Sequence, residues 1–352
     1  MPSAPTRRLR LSAIAVSAAS VALLAGCATP GATSGAGTGA DGISVVATTT
    51  QVADFAREVA GESASVTGLL EPGQSAHSFD PSAAQLLALA NADALVVNGA
   101  GLESWIDDAV EASGFDGVLI DASTGIELEA TDDDHDHDHA DGAIADDEHA
   151  AEGDAADHDH ADGNPHVWTD PVLAERMVQT IADGLAEVPG IDAGAVEANA
   201  ASYTAELDAL DAWISENVAQ VPVADRLLVT NHDAFTYFVH AYDLTFVGSV
   251  IPSFDDNAEP SAAEIDDLVA KIRETGVRAV FSEASISPKA AQTIAEEAGV
   301  AVYSGEDALY GDSLGQPGTD GDTYVGSQVH NVRLILESWG VEPSPLPAGL
   351  GG

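Results

Sequence analysis

The chain has 352 residues, with 59 acidic against 11 basic side chains, a formal net charge of −48 and a single cysteine. So acidic a surface repels nucleic acid and anionic lipid and attracts cations, which removes nucleic acid from the list of partners. One cysteine rules out an internal disulfide. The length beyond the N-terminal segment, about 310 residues, is more than one common domain and leaves room for two lobes.

Arg7, Arg8 and Arg10 precede residues 11–24, an apolar run with no charge. A bilayer-spanning helix needs about 20 apolar residues, so this run is short for one and reads as a secretory signal. It ends Leu24-Ala25-Gly26-Cys27, which resembles the lipobox of bacterial lipoproteins. That resemblance implies that Cys27 is lipidated and becomes the first mature residue. Lipidation would give the only cysteine a use and anchor the protein on the outer side of a cell membrane. The Arg7-Arg8 pair leaves both Sec and twin-arginine export open. Residues 28–41 are Gly-, Ala-, Thr- and Ser-rich and read as a flexible tether.

Strands are expected at 43–48, 66–70, 94–97 and 118–120, with helices at 51–60, 82–91 and 103–113 between them. This alternation predicts a parallel sheet covered by helices. Residues 131–163 then hold 14 acidic residues, six histidines and no basic one. Such a stretch cannot bury a core and reads as a surface loop. A helix is expected at 171–188 and a long one at 191–221, with Leu207, Leu210, Trp213 and Ile214 on one face and Pro222 ending it. A second series follows, with strands at 226–230, 245–249, 277–281 and 300–303 and helices at 261–274, 288–298 and 324–339. The expected fold class is α/β, two lobes with parallel-sheet cores joined by a long rigid helix. The boundaries are 1–27 for the signal and lipobox, 28–41 for the tether, 42–190 for the first lobe, 191–221 for the linking helix, 222–340 for the second lobe and 341–352 for a flexible tail.

Three histidines outside the acidic loop sit at strand ends or in the loops that follow: His77, His166 and His232. In open α/β sheets ligands bind beyond the carboxyl ends of the strands, and two facing lobes would bring such loops into one cleft. Three neutral imidazoles with one carboxylate make a tetrahedral site suited to Zn²⁺, whereas harder ions prefer more oxygen. Each histidine alone reads more simply as a surface or hydrogen-bonded residue, and composition and spacing go no further.

The local motifs do. Pro72-Gly73 through His77 to Pro81, Asn91-Ala92-Asp93 with Asn98-Gly99, Asn164-Pro165-His166-Val167-Trp168, His232-Asp233-Ala234-Phe235 with Tyr237-Phe238, Phe281-Ser282-Glu283, Asp312-Ser313-Leu314-Gly315, and Tyr324 with Asn331 occur in this order. Together, over about residues 43–339, they resemble the metal-binding lipoproteins of ABC importers, the zinc and manganese group of solute-binding proteins. The resemblance implies that His77, His166 and His232 are metal ligands. It makes Asp312 the favoured fourth ligand, with water as the alternative. The acidic residue that some zinc members carry just before the first histidine is here Ala76. Glu283 sits at a strand end and is expected either to bond a ligand imidazole or to be a plain structural carboxylate.

Manganese members of that group typically have Glu where this chain has His232, which favours zinc. His-rich loops at this place are characteristic of the zinc branch. His135, His137, His139, His149, His158 and His160 are therefore expected to capture zinc and raise its concentration near the cleft. His240 and His330 fall in predicted helices and are assigned no ligand role. The resemblance implies a monomer that hands Zn²⁺ to a membrane permease and holds no catalytic centre. Its rigid linking helix implies small lobe tilts on metal binding rather than wide closure. The other readings kept open are manganese or iron delivery, a zinc-dependent adhesin, and a passive metal buffer. A metal hydrolase is the rival of another class, and the chain has neither HExxH nor GxSxG to support it.

Overall fold

Val45, Val46 and Ala47 are apolar in succession, as a strand covered on both faces must be. In the computed structural model, which describes residues 42–129 and 163–350, they lie in β1 (Ser44–Ala47) and are fully buried. The first half continues through α1 (Thr50–Ala60), β2 (Ser65–Gly68), α2 (Ala83–Ala90), β3 (Ala94–Val97), α3 (Ile106–Ser113) and β4 (Val118–Asp121). The four strands pair in parallel in the order β2-β1-β3-β4. The two inner strands, β1 and β3, are the buried ones, and the edge strands β2 and β4 are partly exposed. Local chemistry sets the helix starts. Ser82 and Gln85 form a capping box at α2, and Thr49 accepts from the Val52 N–H at α1.

Helix α4 (Pro171–Ala186) starts with proline at its first position, where the missing N–H costs nothing, and Asp170 caps it. Helix α5 (Ala193–Val218) has 26 residues, roughly 39 Å at 1.5 Å per residue. Its buried stripe includes Tyr203, Leu207, Leu210, Trp213 and Ile214. It lies against α1 and α4 at one stage and α9 at another, so it braces the first half against the C-terminal helix.

The second half is β5 (Leu227–Thr230), α6 (Thr236–Ala241), β6 (Thr245–Ser249), α7 (Ala262–Thr275), β7 (Ala279–Phe281), α8 (Lys289–Ala298), β8 (Ala301–Tyr303) and α9 (Tyr324–Trp339). Strands β5 and β6 pair in parallel, as do β7 and β8, and β5 runs beside β7. A small apolar cluster of Val229, Val247, Val280, Leu268, Ile272 and Ile294 fills the space between these strands and helices α7 and α8. The larger cluster runs from β1, β3 and α1 through α4 and α5 to α9.

Several expectations need correction. The second strand ends at Gly68, not at 70, although the N–H groups of Leu69 and Leu70 still donate to the carbonyls of Ala47 and Thr48, and both side chains are buried. The helix expected from 103 starts at Ile106, because the Glu103 carboxylate turns back to accept from the Thr48 hydroxyl and the N–H groups of Asn98 and Gly99. The long helix ends at Val218, four residues before Pro222. Residues 341–350 are docked rather than free. Ser344 accepts from the Trp213 indole through its carbonyl and donates its N–H to Asn217, and Leu350 is buried. Gly163, expected at the end of the acidic loop, is buried against Leu128. Cys27 and the six loop histidines lie outside the described residues.

Candidate metal centre

The three histidines reach one point from three places in the chain. His77 lies in the loop after β2, His166 in the turn that leads into α4, and His232 directly after β5. Asp312 comes from the segment between β8 and α9, where Leu309 pairs beside Glu283 and so extends the sheet past β7. One ligand atom from each of these four residues lies within 4.8 Å of the other three. His166, His232 and Asp312 are fully buried, and only the His77 side chain keeps contact with solvent, at 8 % exposure.

The distances carry chemical information. His166 Nε2 stands 3.3 Å from the Nε2 atoms of His77 and His232. The Asp312 oxygens stand 3.2 Å from His77 Nε2, 3.1 Å from His166 Nε2 and 3.2 Å from His232 Nε2. A tetrahedron with corners about 2.0–2.1 Å from its centre, the Zn–N distance, has edges of about 3.3–3.4 Å. These spacings, with His166 nearest one Asp312 oxygen and His77 and His232 nearest the other, are close to the edge length of a zinc-sized tetrahedron. Both Asp312 oxygens are buried, yet neither is aligned with a hydrogen-bond donor. The three imidazole nitrogens and the carboxylate face one another across a small buried space. A buried charge with unmade hydrogen bonds is otherwise costly, and a cation at the centre answers it.

Each donor is held from behind. Glu283 Oε1 accepts from the His232 backbone N–H at 3.0 Å and meets His232 Nδ1 at 2.8 Å. Gly311 allows this: a Cβ there would lie 2.1 Å from Glu283 Oε2. His166 Nδ1 meets Asn164 Oδ1 at 2.6 Å. The Asp312 segment is clamped from both sides. The Gly311 carbonyl accepts from Gln51 on α1 and from the Trp168 indole, while Asn331 on α9 bonds both the N–H and the carbonyl of Tyr310. The His77 loop is tied across to the second half through Ser75 to Asp256, Ser78 to Asn257 and Gly73 to Ser313.

Burial and charge oppose one another at each group. Burial pulls the His232 imidazole down, and the carboxylates of Glu283 and Asp312 outweigh it and hold it well above the ordinary histidine value. The same competition raises His77, with Asp312 and Asp256 as its negative neighbours. At His166 burial wins and pushes the value down to about 4. Burial raises Glu283. Burial also acts to raise Asp312, and the imidazoles of His232 and His166 overcome it and hold that carboxyl well below its usual range. The site thus keeps one firm negative charge facing three imidazoles.

His240 pairs with the Glu129 carboxylate at the surface, and His330 Nε2 bonds the Ala308 carbonyl at 3.0 Å, so neither joins the cluster. Sequence reasoning missed Asn164, Gln51 and Trp168 as supports. The Asn-x-His spacing was the available signal for the first; nothing in the sequence pairs Gln51 with a residue 260 positions away.

The family model described as "Zinc-uptake complex component A periplasmic" matches residues 45–338. The manganese-binding lipoprotein MntA of Halalkalibacterium halodurans is 28% identical over 296 residues, covering 84% of this chain and 88% of that protein. The zinc-binding lipoprotein AdcA of Streptococcus pneumoniae is 29% identical over 302 residues, covering 85% of this chain and 56% of that longer protein. The solved structure of the periplasmic zinc binding protein TroA from Treponema pallidum superposes with a TM-score of 0.71 at 25% identity, covering 85% of this chain and 99% of that one. The chain belongs to the zinc-uptake complex component A (periplasmic) family of metal-binding solute-binding proteins.

Proposed function

We propose that the protein binds one Zn²⁺ between His77, His166, His232 and Asp312 outside the cytoplasm and delivers it to the permease of an ABC importer. The observation that carries this reading is the convergence of three imidazoles and one carboxylate, with donor spacings of 3.1–3.3 Å close to the edge length of a tetrahedron of about 2 Å radius. Three nitrogens and one carboxylate suit zinc better than manganese, which prefers oxygen. Four protein donors leave no open position for a metal-bound water, so the arrangement serves carriage rather than hydrolysis. Metal reaches and leaves the centre on the His77 side, the one ligand in contact with solvent. The lobes expected at 42–190 and 222–340, with 191–221 between them, belong to this reading, as do lipid anchoring at Cys27 and zinc capture by the histidines of residues 130–162.

Manganese is the second reading, favoured by the names of the MntA relatives. A chelator-competition titration of Zn²⁺ against Mn²⁺ tests both. One tight zinc per chain with much weaker manganese supports the proposal. Manganese binding as tight as zinc, or zinc binding that survives Asp312→Ala together with His232→Ala, defeats it.

A further inference from the structure

Asn164 stands two residues before His166 and is buried. Its side-chain oxygen faces the His166 backbone N–H at 3.0 Å and His166 Nδ1 at 2.6 Å. Its side-chain nitrogen donates to the Asp233 carbonyl at 2.9 Å and the Thr236 hydroxyl at 3.1 Å. Its own N–H donates to the Glu129 carbonyl at 2.9 Å, and its carbonyl accepts from the Tyr237 hydroxyl at 2.6 Å. Every hydrogen-bonding group of the residue is used.

These partners fix which end of the amide is which. A backbone N–H can only donate, so the atom facing the His166 N–H is the oxygen. A carbonyl can only accept, so the atom facing Asp233 is the nitrogen. The oxygen has no hydrogen to give, so the proton in its contact with His166 Nδ1 belongs to the imidazole. A neutral His166 is then protonated at Nδ1 and carries its lone pair on Nε2, the atom 3.1 Å from Asp312. The other end of the same amide holds Asp233 and Thr236, the residues that follow His232 on the way into α6.

We propose that Asn164 is the positioning residue of the metal centre: its amide sets the His166 tautomer and ties that histidine to the loop that carries His232. This inference rests on the metal-site reading above. It also separates the two histidines chemically. His232 is backed by the carboxylate of Glu283, and His166 by a neutral amide, so only one of the two carries added negative charge behind its ring.

The test uses the metal-free full-length protein with ¹⁵N-labelled histidines, reading ring tautomers by long-range ¹H–¹⁵N correlation; the His166 signal is the one lost in His166→Gln. The wild-type ring is expected to be protonated at Nδ1 alone. Asn164→Ala is expected to mix the tautomers and to weaken zinc in chelator competition by about 10–100-fold, the usual effect of removing the partner behind a ligand histidine. Asn164→Asp keeps an acceptor at Nδ1 but turns its second oxygen toward the Asp233 carbonyl. It is expected to restore the tautomer while recovering only part of the affinity. A wild-type His166 protonated at Nε2, or an Asn164→Ala protein whose tautomer is unchanged whatever its zinc affinity, overturns the proposal. The wild-type spectrum decides the first point even if the alanine variant does not fold. A wild-type protein that takes up no tight zinc overturns the metal-site reading instead, and the tautomer measurement still judges Asn164.

Discussion

Glu283 bonds His232 twice through a single oxygen, at the backbone N–H and at ring Nδ1, while its second oxygen is buried without a partner. One carboxylate thus fixes both where His232 starts and which way its ring faces.

Glu283→Gln keeps the shape and an acceptor but removes the charge behind the ring. Zinc affinity is expected to fall about tenfold to a hundredfold, in the range found for partners of ligand histidines, with the metal-free melting temperature little changed. Competition against a zinc chelator checks the first expectation and thermal unfolding the second. An affinity within twofold of wild type would mean the carboxylate charge does not tune His232.

Zinc binding should release protons. His77 and His232 titrate above the ordinary histidine value in the metal-free site, so they hold protons at a pH where a free imidazole has begun to lose them. Zinc needs their lone pairs. Affinity is therefore expected to climb as pH rises through 6.5 and above and to fall below it, with protons released as zinc binds. Calorimetric enthalpies in buffers of different ionisation heat count the protons directly. A buffer-independent enthalpy at pH 7 would contradict the charge assignment.

Asp54 offers a stability test away from the metal. Burial pushes its carboxyl from 3.8 up to about 6, against the opposing hydrogen bond from the Tyr324 N–H. Between these values the native state keeps a proton that the unfolded chain has lost. Stability therefore falls as pH rises through this window and levels off above about 6. The shift corresponds to about 3 kcal/mol as an upper bound. Asp54→Asn keeps an acceptor for Tyr324 and has no charge to bury. It is expected to match wild type near pH 4 and to exceed it at pH 7.5 in metal-free denaturant unfolding. A variant less stable at both pH values would show that the carboxylate is needed as such.

Removing residues 130–162 should leave the centre intact. Glu129 and Asn164 are already joined by a backbone hydrogen bond of 2.9 Å, so Glu129 and Gly163 can be bridged by a short glycine linker. Gly163 must stay glycine, since a Cβ would lie 2.6 Å from that of Leu128. One tight zinc per chain is expected to remain in titration calorimetry, while weaker additional sites disappear with the six histidines. Loss of the tight site would move the principal binding to the deleted residues.

Much of this was legible in the chain itself. Runs such as Val45-Val46-Ala47 and Ala94-Leu95-Val96-Val97 are apolar throughout because both faces of those strands are covered, so they announce a parallel sheet without a structure. The helices expected from 82 and 171 begin within a residue of those positions, where Ser82 and Asp170 cap them within one turn. The motifs around His77, His166, His232 and Asp312 marked the candidate ligands, since each is a short local pattern. The bounds of the short helix around His240, α6, were not legible because six residues are too few to show a helical period. What the sequence could not state is distance. The spacings near 3.3 Å depend on Gln51 and Trp168 gripping Gly311, on Asn331 gripping Tyr310, and on Asn164 joining two ligand loops. Those bonds link residues tens to hundreds of positions apart. Local pattern chose the elements and the donor types, and only the tertiary fold brought four donors to one point, because a coordination shell is a relation in space among parts of the chain that share no local sequence.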